Sequence, residues 1–93
     1  MKFSKDSATE EAKRDLAKRL NIAESEIKTV SATDSDFPNM SLGAPVGDEA
    51  IAMMIATGWI ITLGANGKNY EYRADKYSLR LRGFNGTNYI VKS

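Results

Sequence analysis

Residues 59–73 read WIITLGANGKNYEYR, and this stretch decides the fold. Apolar side chains alternate along it up to Asn66-Gly67, a dipeptide that favours a tight hairpin turn because both of its residues tolerate positive φ. Tyr70 and Tyr72 continue the alternation after the turn. The stretch therefore predicts two antiparallel strands that turn one face toward a core.

Further strands are predicted on both sides of this hairpin. Leu79 and Leu81 alternate with Arg80 and Arg82, which predicts a third strand. Residues 27–32 are rich in Ile, Val and Thr, which favour strands, and residues 89–91 could add a short last one. We expect an antiparallel meander of about four strands.

One helix is predicted before the strands, from about Ser7 to Leu20. Ser7 and Glu10 match a capping box, in which each side chain bonds the backbone amide at the other's position. Apolar residues then recur every four positions, as in a helix that buries one stripe. Asn21 is suited to end the helix in the left-handed conformation. The fold class is therefore α+β, with one N-terminal helix packed on the sheet.

The size and composition of the chain narrow its possible functions. Its 93 residues predict a single domain over residues 1–93, with residues 1–6 as a disordered N-terminus. A net charge of +1 gives no overall attraction to nucleic acid or to an anionic membrane. Cysteine and histidine are absent, which removes disulfides, thiolate chemistry and the commonest general base near neutral pH. We expect no enzyme activity, no cofactor and no metal site.

The compartment stays open at this stage. No apolar run follows Lys2, which argues against a secretory signal, and no segment approaches the roughly 18 apolar residues of a membrane span. The chain is either cytoplasmic or exported with a leader that this sequence does not include. Its oligomeric state is equally open.

Several short motifs carry a resemblance to a known family. They are SLGAP at residues 41–45, TGWII at 57–61 and GKNYEYRAD at 67–75. Over about residues 11–81 the pattern resembles a family of small bacterial domains of unknown function. Members carry cysteine where Ala44 stands and often a second near Leu81, so any disulfide between those positions is lost here.

A second resemblance concerns the hairpin alone. Tyr70-Glu71-Tyr72 and the order of helix and hairpin are similar to PepSY-type domains, a group associated with binding or inhibiting peptidases. This resemblance implies modulation of a peptidase as one form of protein binding. Neither resemblance implies a reaction or a catalytic residue.

A long loop is predicted from Asp34 to Asp48, because the stretch is rich in Asp, Ser, Pro and Gly and contains both prolines. Functional residues concentrate on loops that a rigid scaffold holds. The side chains that could contact a partner are Phe37, Pro38, Met40, Leu42 and Pro45. The alternative, that they pin the loop to its own sheet, stays open. The leading hypothesis is a non-catalytic module that binds a protein or peptide through this loop or an exposed strand edge.

Two other functions are considered. The basic residues of the strands, interleaved with tyrosines, could bind nucleic acid by stacking and phosphate contacts; they are Lys68, Arg73, Lys76, Arg80 and Arg82. This requires tyrosines that face solvent, whereas alternation in an antiparallel sheet could send them to the core. An enzyme of unknown class would require a pocket with converging polar groups.

Overall fold

The computed structural model describes residues 2–93 and shows one helix against one sheet. Helix α1 is followed by a single 3-10 turn and then by five strands, each paired antiparallel with the next, in the sheet order β1-β2-β3-β4-β5. The predicted α+β meander is confirmed, with five strands rather than about four. The elements are α1 Lys5–Leu20, the turn Glu24–Glu26, β1 Lys28–Phe37, β2 Ala56–Ala65, β3 Lys68–Asp75, β4 Leu79–Phe84 and β5 Thr87–Lys92.

The hairpin forms at the predicted dipeptide. Asn66 and Gly67 have φ values of 53° and 76°, and Ala65 pairs with Lys68 across the turn. Two positive φ values fit the right-handed twist of the flanking strands. The local signal at these residues therefore sets the register of β2 against β3.

The helix begins one turn earlier than predicted. Ser4, not Ser7, is the N-cap: its hydroxyl accepts a bond of 3.1 Å from the Ser7 amide, and the Ser7 hydroxyl accepts one of 2.8 Å from the Ser4 amide. Ser7, at the third helical position, thus accepts the bond from the N-cap amide that was predicted for Glu10. Phe3 donates to the Lys76 carbonyl at 2.8 Å, so residues 3–6 belong to the fold rather than to a disordered N-terminus, while Met1 lies outside the described residues.

The main core lies between α1 and one face of the sheet. Its buried members include Leu16 from the helix and a set of strand residues, with Trp59, Tyr70 and Leu20 packed at its margin. The buried strand residues are Ile61, Leu63, Ala65, Tyr72, Ala74, Leu79 and Leu81. These are the strand side chains that the alternation predicts to face the core. The helix ends as predicted too, with Asn21 at φ 56°.

One polar group inside this core is fully paired. The Tyr72 hydroxyl donates to Asp15 Oδ2 at 2.7 Å, and Arg19 Nε donates to the same oxygen at 2.7 Å. Burial, together with the hydrogen bond to Asp15, raises the pKa of Tyr72 far above its usual value. Tyr72 is therefore a neutral link between sheet and helix.

Strand β1 is longer than predicted and takes up the beginning of the predicted loop. Residues 34–37 pair with residues 59–56 of β2, so they are strand. Most of β1 is exposed, because it is an edge strand, and its polar sequence therefore carries no alternating signal. The irregular stretch runs over residues 38–55, and we call it the covering segment.

Candidate functional site

The covering segment lies against the sheet face opposite the helix. Leu79 and Leu81 face α1, so Arg80 between them points the other way, and Arg73 is its direct neighbour on β3. Both guanidinium groups bond backbone carbonyls of the covering segment: Arg73 Nη1 to Leu42 at 3.2 Å, and Arg80 Nη1 to Ala44 at 2.9 Å. The two arginines therefore fasten the segment to the sheet.

A tight turn presents these two carbonyls. The Ala44 amide donates to the Ser41 carbonyl at 3.0 Å, and the two central residues, Leu42 and Gly43, have φ values of 60° and 72°. Positive φ is unfavourable for leucine by roughly 1–2 kcal/mol, so the surroundings must hold it there. The φ of 72° favours glycine at position 43, and a side chain there would also meet the Arg73 guanidinium.

An ion pair between Arg80 and Glu49 also holds the covering segment on the sheet. Arg80 Nη2 donates to Glu49 Oε2 at 2.8 Å, Arg80 Nη1 bonds the other oxygen, and the Val46 amide donates to Glu49 Oε1 at 2.8 Å. The hydrogen bonds from Arg80 and then from Val46 lower the pKa of Glu49 to about 2. Asn88 adds a bond of 2.9 Å to the Pro45 carbonyl. Arg80 is buried, which sequence alternation did not predict.

A small apolar cluster sits beneath the covering segment. Its buried members are Phe37, Leu42 and Ala56, with Met40 and Ile60 partly buried beside them. The Arg73 guanidinium lies 5.7 Å from the centre of the Phe37 ring. Phe37 and Leu42 are thus buried against the sheet and hold the chain to it, so neither side chain is available to a partner. This corrects their assignment as contact residues.

The other three predicted contact residues remain accessible to different degrees. Pro38 and Pro45 are exposed, and Met40 is half-buried. The Met40 amide donates to the Ala52 carbonyl at 3.0 Å, which brings the first part of the covering segment against its last part. Met40 therefore borders the run of residues 53–55.

Three consecutive exposed apolar side chains form that run, which sequence reasoning left unassigned. Met53, Met54 and Ile55 are 79%, 66% and 75% exposed, and Tyr77 is 54% exposed. Together with Met40 we call them the apolar patch. All of these residues except Met53 line a hollow of about 280 Å³. A contiguous apolar run outside any strand or helix was the available signal, but such runs usually predict burial.

The rim of the patch is basic. Lys76 lines the hollow, and its Nζ lies 6.0 Å from the centre of the Tyr77 ring. Lys2 Nζ lies 5.9 Å from the same centre. Asp75 also lines the hollow, but its carboxylate accepts the Tyr77 and Ser78 amides at 2.8 Å each. It therefore caps the turn between β3 and β4.

The basic residues considered for nucleic acid do not form one exposed surface, although Arg73 neighbours Arg80 and Lys68 shares a hollow with Arg82. Arg80 and Arg73 are bonded to the covering segment, Lys68 and Lys76 lie at opposite ends of β3, and Arg82 is exposed on β4. Tyr72 is buried beneath the helix, Tyr70 is partly buried, and the exposed Tyr77 lies beside Lys76. The aromatic and basic groups are thus spread over separate places, which does not favour this alternative.

Among residues 2–93, no three His, Cys, Asp or Glu side chains are grouped so that they could hold a metal ion. The same residues include no helix with the length and apolar character needed to cross a membrane.

The chain belongs to a family described as a domain of unknown function (DUF8738), whose model matches residues 9–82. Comparison with curated proteins and with solved structures gives no significant match. The matched region includes most of α1, strands β1–β3 and the entire covering segment. The apolar patch thus lies within the part of the chain that defines the family.

Proposed function

We propose that this member of the family is a non-catalytic module that binds another protein or peptide through the apolar patch. The observation that carries the proposal is the exposure of Met53, Met54 and Ile55, three consecutive large apolar side chains. Exposed apolar surface of this kind, rimmed by polar groups, is typical of interaction sites in proteins. Single exposed apolar residues need no such explanation, but a consecutive run does.

The chemistry of the patch suits a protein partner. Methionine side chains are unbranched and polarisable, so they adapt to partners of different shape, and three of them border this surface. The hollow beside Met54 and Tyr77 has room for one or two apolar side chains of a partner. Apolar anchors that enter a small depression dominate the affinity of many interfaces.

The rim supports a preference among partners. Lys2 and Lys76 lie beside Tyr77, and lysines at an interface edge favour acidic groups across from them. We therefore expect the partner to carry acidic residues next to its apolar anchor. The rim charges should act mainly on the association rate, and their effect should weaken as salt is added.

A peptide library displayed on phage tests this function. The library is selected on the full chain and counter-selected on a Met53→Asp, Met54→Asp double variant, in which both side chains are replaced at exposed positions. An Ile90→Asp variant is the matched control, since Ile90 is also a large exposed apolar residue, 41% exposed, but lies on β5 outside the patch.

The expected result is a set of peptides with an apolar anchor next to acidic residues. These peptides should bind the wild-type chain and the Ile90→Asp control equally, and should bind the double variant at least about tenfold more weakly, a loss of about 1.4 kcal/mol. Peptides that bind the double variant as tightly as the wild type would contradict the proposal, and so would a selection that yields none.

A further inference from the structure

The edge strand β1 has an open backbone. Ser31–Phe37 pair in one regular register with residues 62–56 of β2, and no strand lies on the other side. In an edge strand, about half of the backbone N–H and C=O groups point away from the sheet. Within the described residues, the one hydrogen bond to a backbone group of this run from outside the β1–β2 pairing is a 3.5 Å contact from the Ser35 hydroxyl to the Asp36 carbonyl.

The opposite edge of the sheet is protected in ways that β1 is not. Strand β5 has six residues, and its register against β4 shifts at two places. Short, bulged edges resist further pairing. The single irregularity of β1 lies between Thr29 and Ser31, before the regular run begins, and the run contains neither lysine nor proline. Of the two edges, β1 is the one suited to accept another strand.

The side chains of β1 favour one kind of strand. Asp34 and Asp36 are two residues apart, so both point to the helix side of the sheet, and both are exposed. The Asp34 side chain is 78% exposed although Lys5 lies 2.9 Å from it, and Asp36 accepts a bond of 3.0 Å from the Thr57 hydroxyl. A second copy of β1 paired antiparallel would bring carboxylates close to carboxylates, which is unfavourable.

From these observations we infer that β1 accepts an extended segment of another polypeptide that carries basic side chains at alternate positions. The segment adds to the sheet as a further strand, with main-chain hydrogen bonds giving affinity and the two carboxylates giving the preference for lysine or arginine. This surface is separate from the apolar patch, and the inference does not depend on the proposed function.

Three synthetic peptides of about eight residues, long enough to span the regular run, test the inference. One alternates threonine and lysine, one alternates threonine and glutamate, and one is the lysine peptide with proline at its two central threonines. Proline keeps the charge but removes the donors that a ladder needs. Each peptide is titrated into the isotope-labelled full chain, and backbone amide shifts are followed by NMR.

The lysine peptide should shift the amides of residues 31–37, whereas the glutamate and proline peptides should not. An Asp34→Lys, Asp36→Lys double variant changes exposed positions and should keep the spectrum of the rest of the sheet. It should bind the lysine peptide about tenfold or more weakly, because two charge-assisted contacts are lost. A Met54→Asp variant should bind the lysine peptide as the wild type does.

Three results would overturn the inference. Equal binding of the proline and lysine peptides would show attraction between charges without strand pairing. Shifts confined to residues 53–55, abolished by Met54→Asp, would assign the peptide to the apolar patch and leave only the proposed function standing. Absence of any shift at residues 31–37 would show that the edge accepts no strand of this charge.

Discussion

The two faces of this sheet are covered in different ways. On one face, α1 contributes apolar side chains to a core that includes Leu16 and Leu81. On the other, the covering segment buries only a small apolar cluster and is otherwise fastened by Arg73 and Arg80. A helix pairs its own backbone groups, whereas an irregular segment does not, so its carbonyls need donors from the sheet. Arginines bonded to backbone carbonyls thus mark the face where regular structure is missing.

The largest expected effect is on the helix face. Leu16→Ala removes a fully buried side chain from the main core and should lower the free energy of unfolding by about 2–5 kcal/mol. Urea unfolding followed by circular dichroism measures it. Leu20→Ala, at the partly buried margin of the same core, is the control and should lose less. Equal losses in the two variants would mean that the core does not lie where the structure shows it.

A smaller loss is expected when the arginine fastening is cut. Arg80→Met leaves the Ala44 carbonyl without its arginine donor and the Glu49 carboxylate with the Val46 amide but without its cation, so the free energy of unfolding should fall by about 1–3 kcal/mol. The amides of residues 40–44 should also exchange faster with solvent. Lys76→Met, an exposed cation outside the fastening, is the control and should leave both measurements unchanged.

Protonation of Glu49 tests the same fastening more gently, since a neutral carboxyl can still accept a hydrogen bond. The pKa of Glu49 is about 2 in the folded chain, below its ordinary value of 4.5. Stability from this group is therefore present above about pH 4.5 and is lost as the pH falls toward 2. Urea midpoints measured across this range should fall less steeply for Glu49→Gln than for the wild type. Identical slopes would contradict the role given to Glu49.

The smallest effect concerns the polar link inside the helix face. Tyr72→Phe removes the hydroxyl that donates to Asp15, while Arg19 still pairs that carboxylate, so the loss should be about 1 kcal/mol. The pKa of Tyr72 is raised in the folded chain, so the stability this group gives is present below about pH 10 and is lost above it. The free energy of unfolding should therefore fall less steeply above about pH 10 in Tyr72→Phe than in the wild type. Tyr77→Phe, at an exposed position, should show the wild-type slope.

The helix face could be predicted from the sequence because its signals are local. The alternation of Ile61, Leu63 and Tyr72 and the turn at Asn66-Gly67 each depend on neighbouring residues. The N-cap was misplaced because Ser4 and Ser7 are both competent, and the choice depends on where the helix meets the sheet.

The other face could not be predicted, because its contacts join residues far apart in the chain. Arg80 and Glu49 are 31 positions apart, and each alone reads as a surface charge. Asp34 and Asp36 read as loop because an edge strand exposed on both faces needs no apolar alternation. The run that contains Met53, Met54 and Ile55 stayed unassigned because its pattern fits neither a helix nor a strand clearly, and apolar runs are usually buried.

Native-state hydrogen exchange tests most directly whether the two covers of the sheet are held independently. The amides of Met40, Leu42 and Ala44 are hydrogen-bonded within the covering segment, and those of residues 60–63 lie in the central strand pair. We expect the first group to open locally at a lower free energy than the second. Arg80→Met should lower the opening free energy of the first group, while the second group should continue to open only with global unfolding. A single opening free energy shared by both groups, lowered together by the substitution, would contradict it.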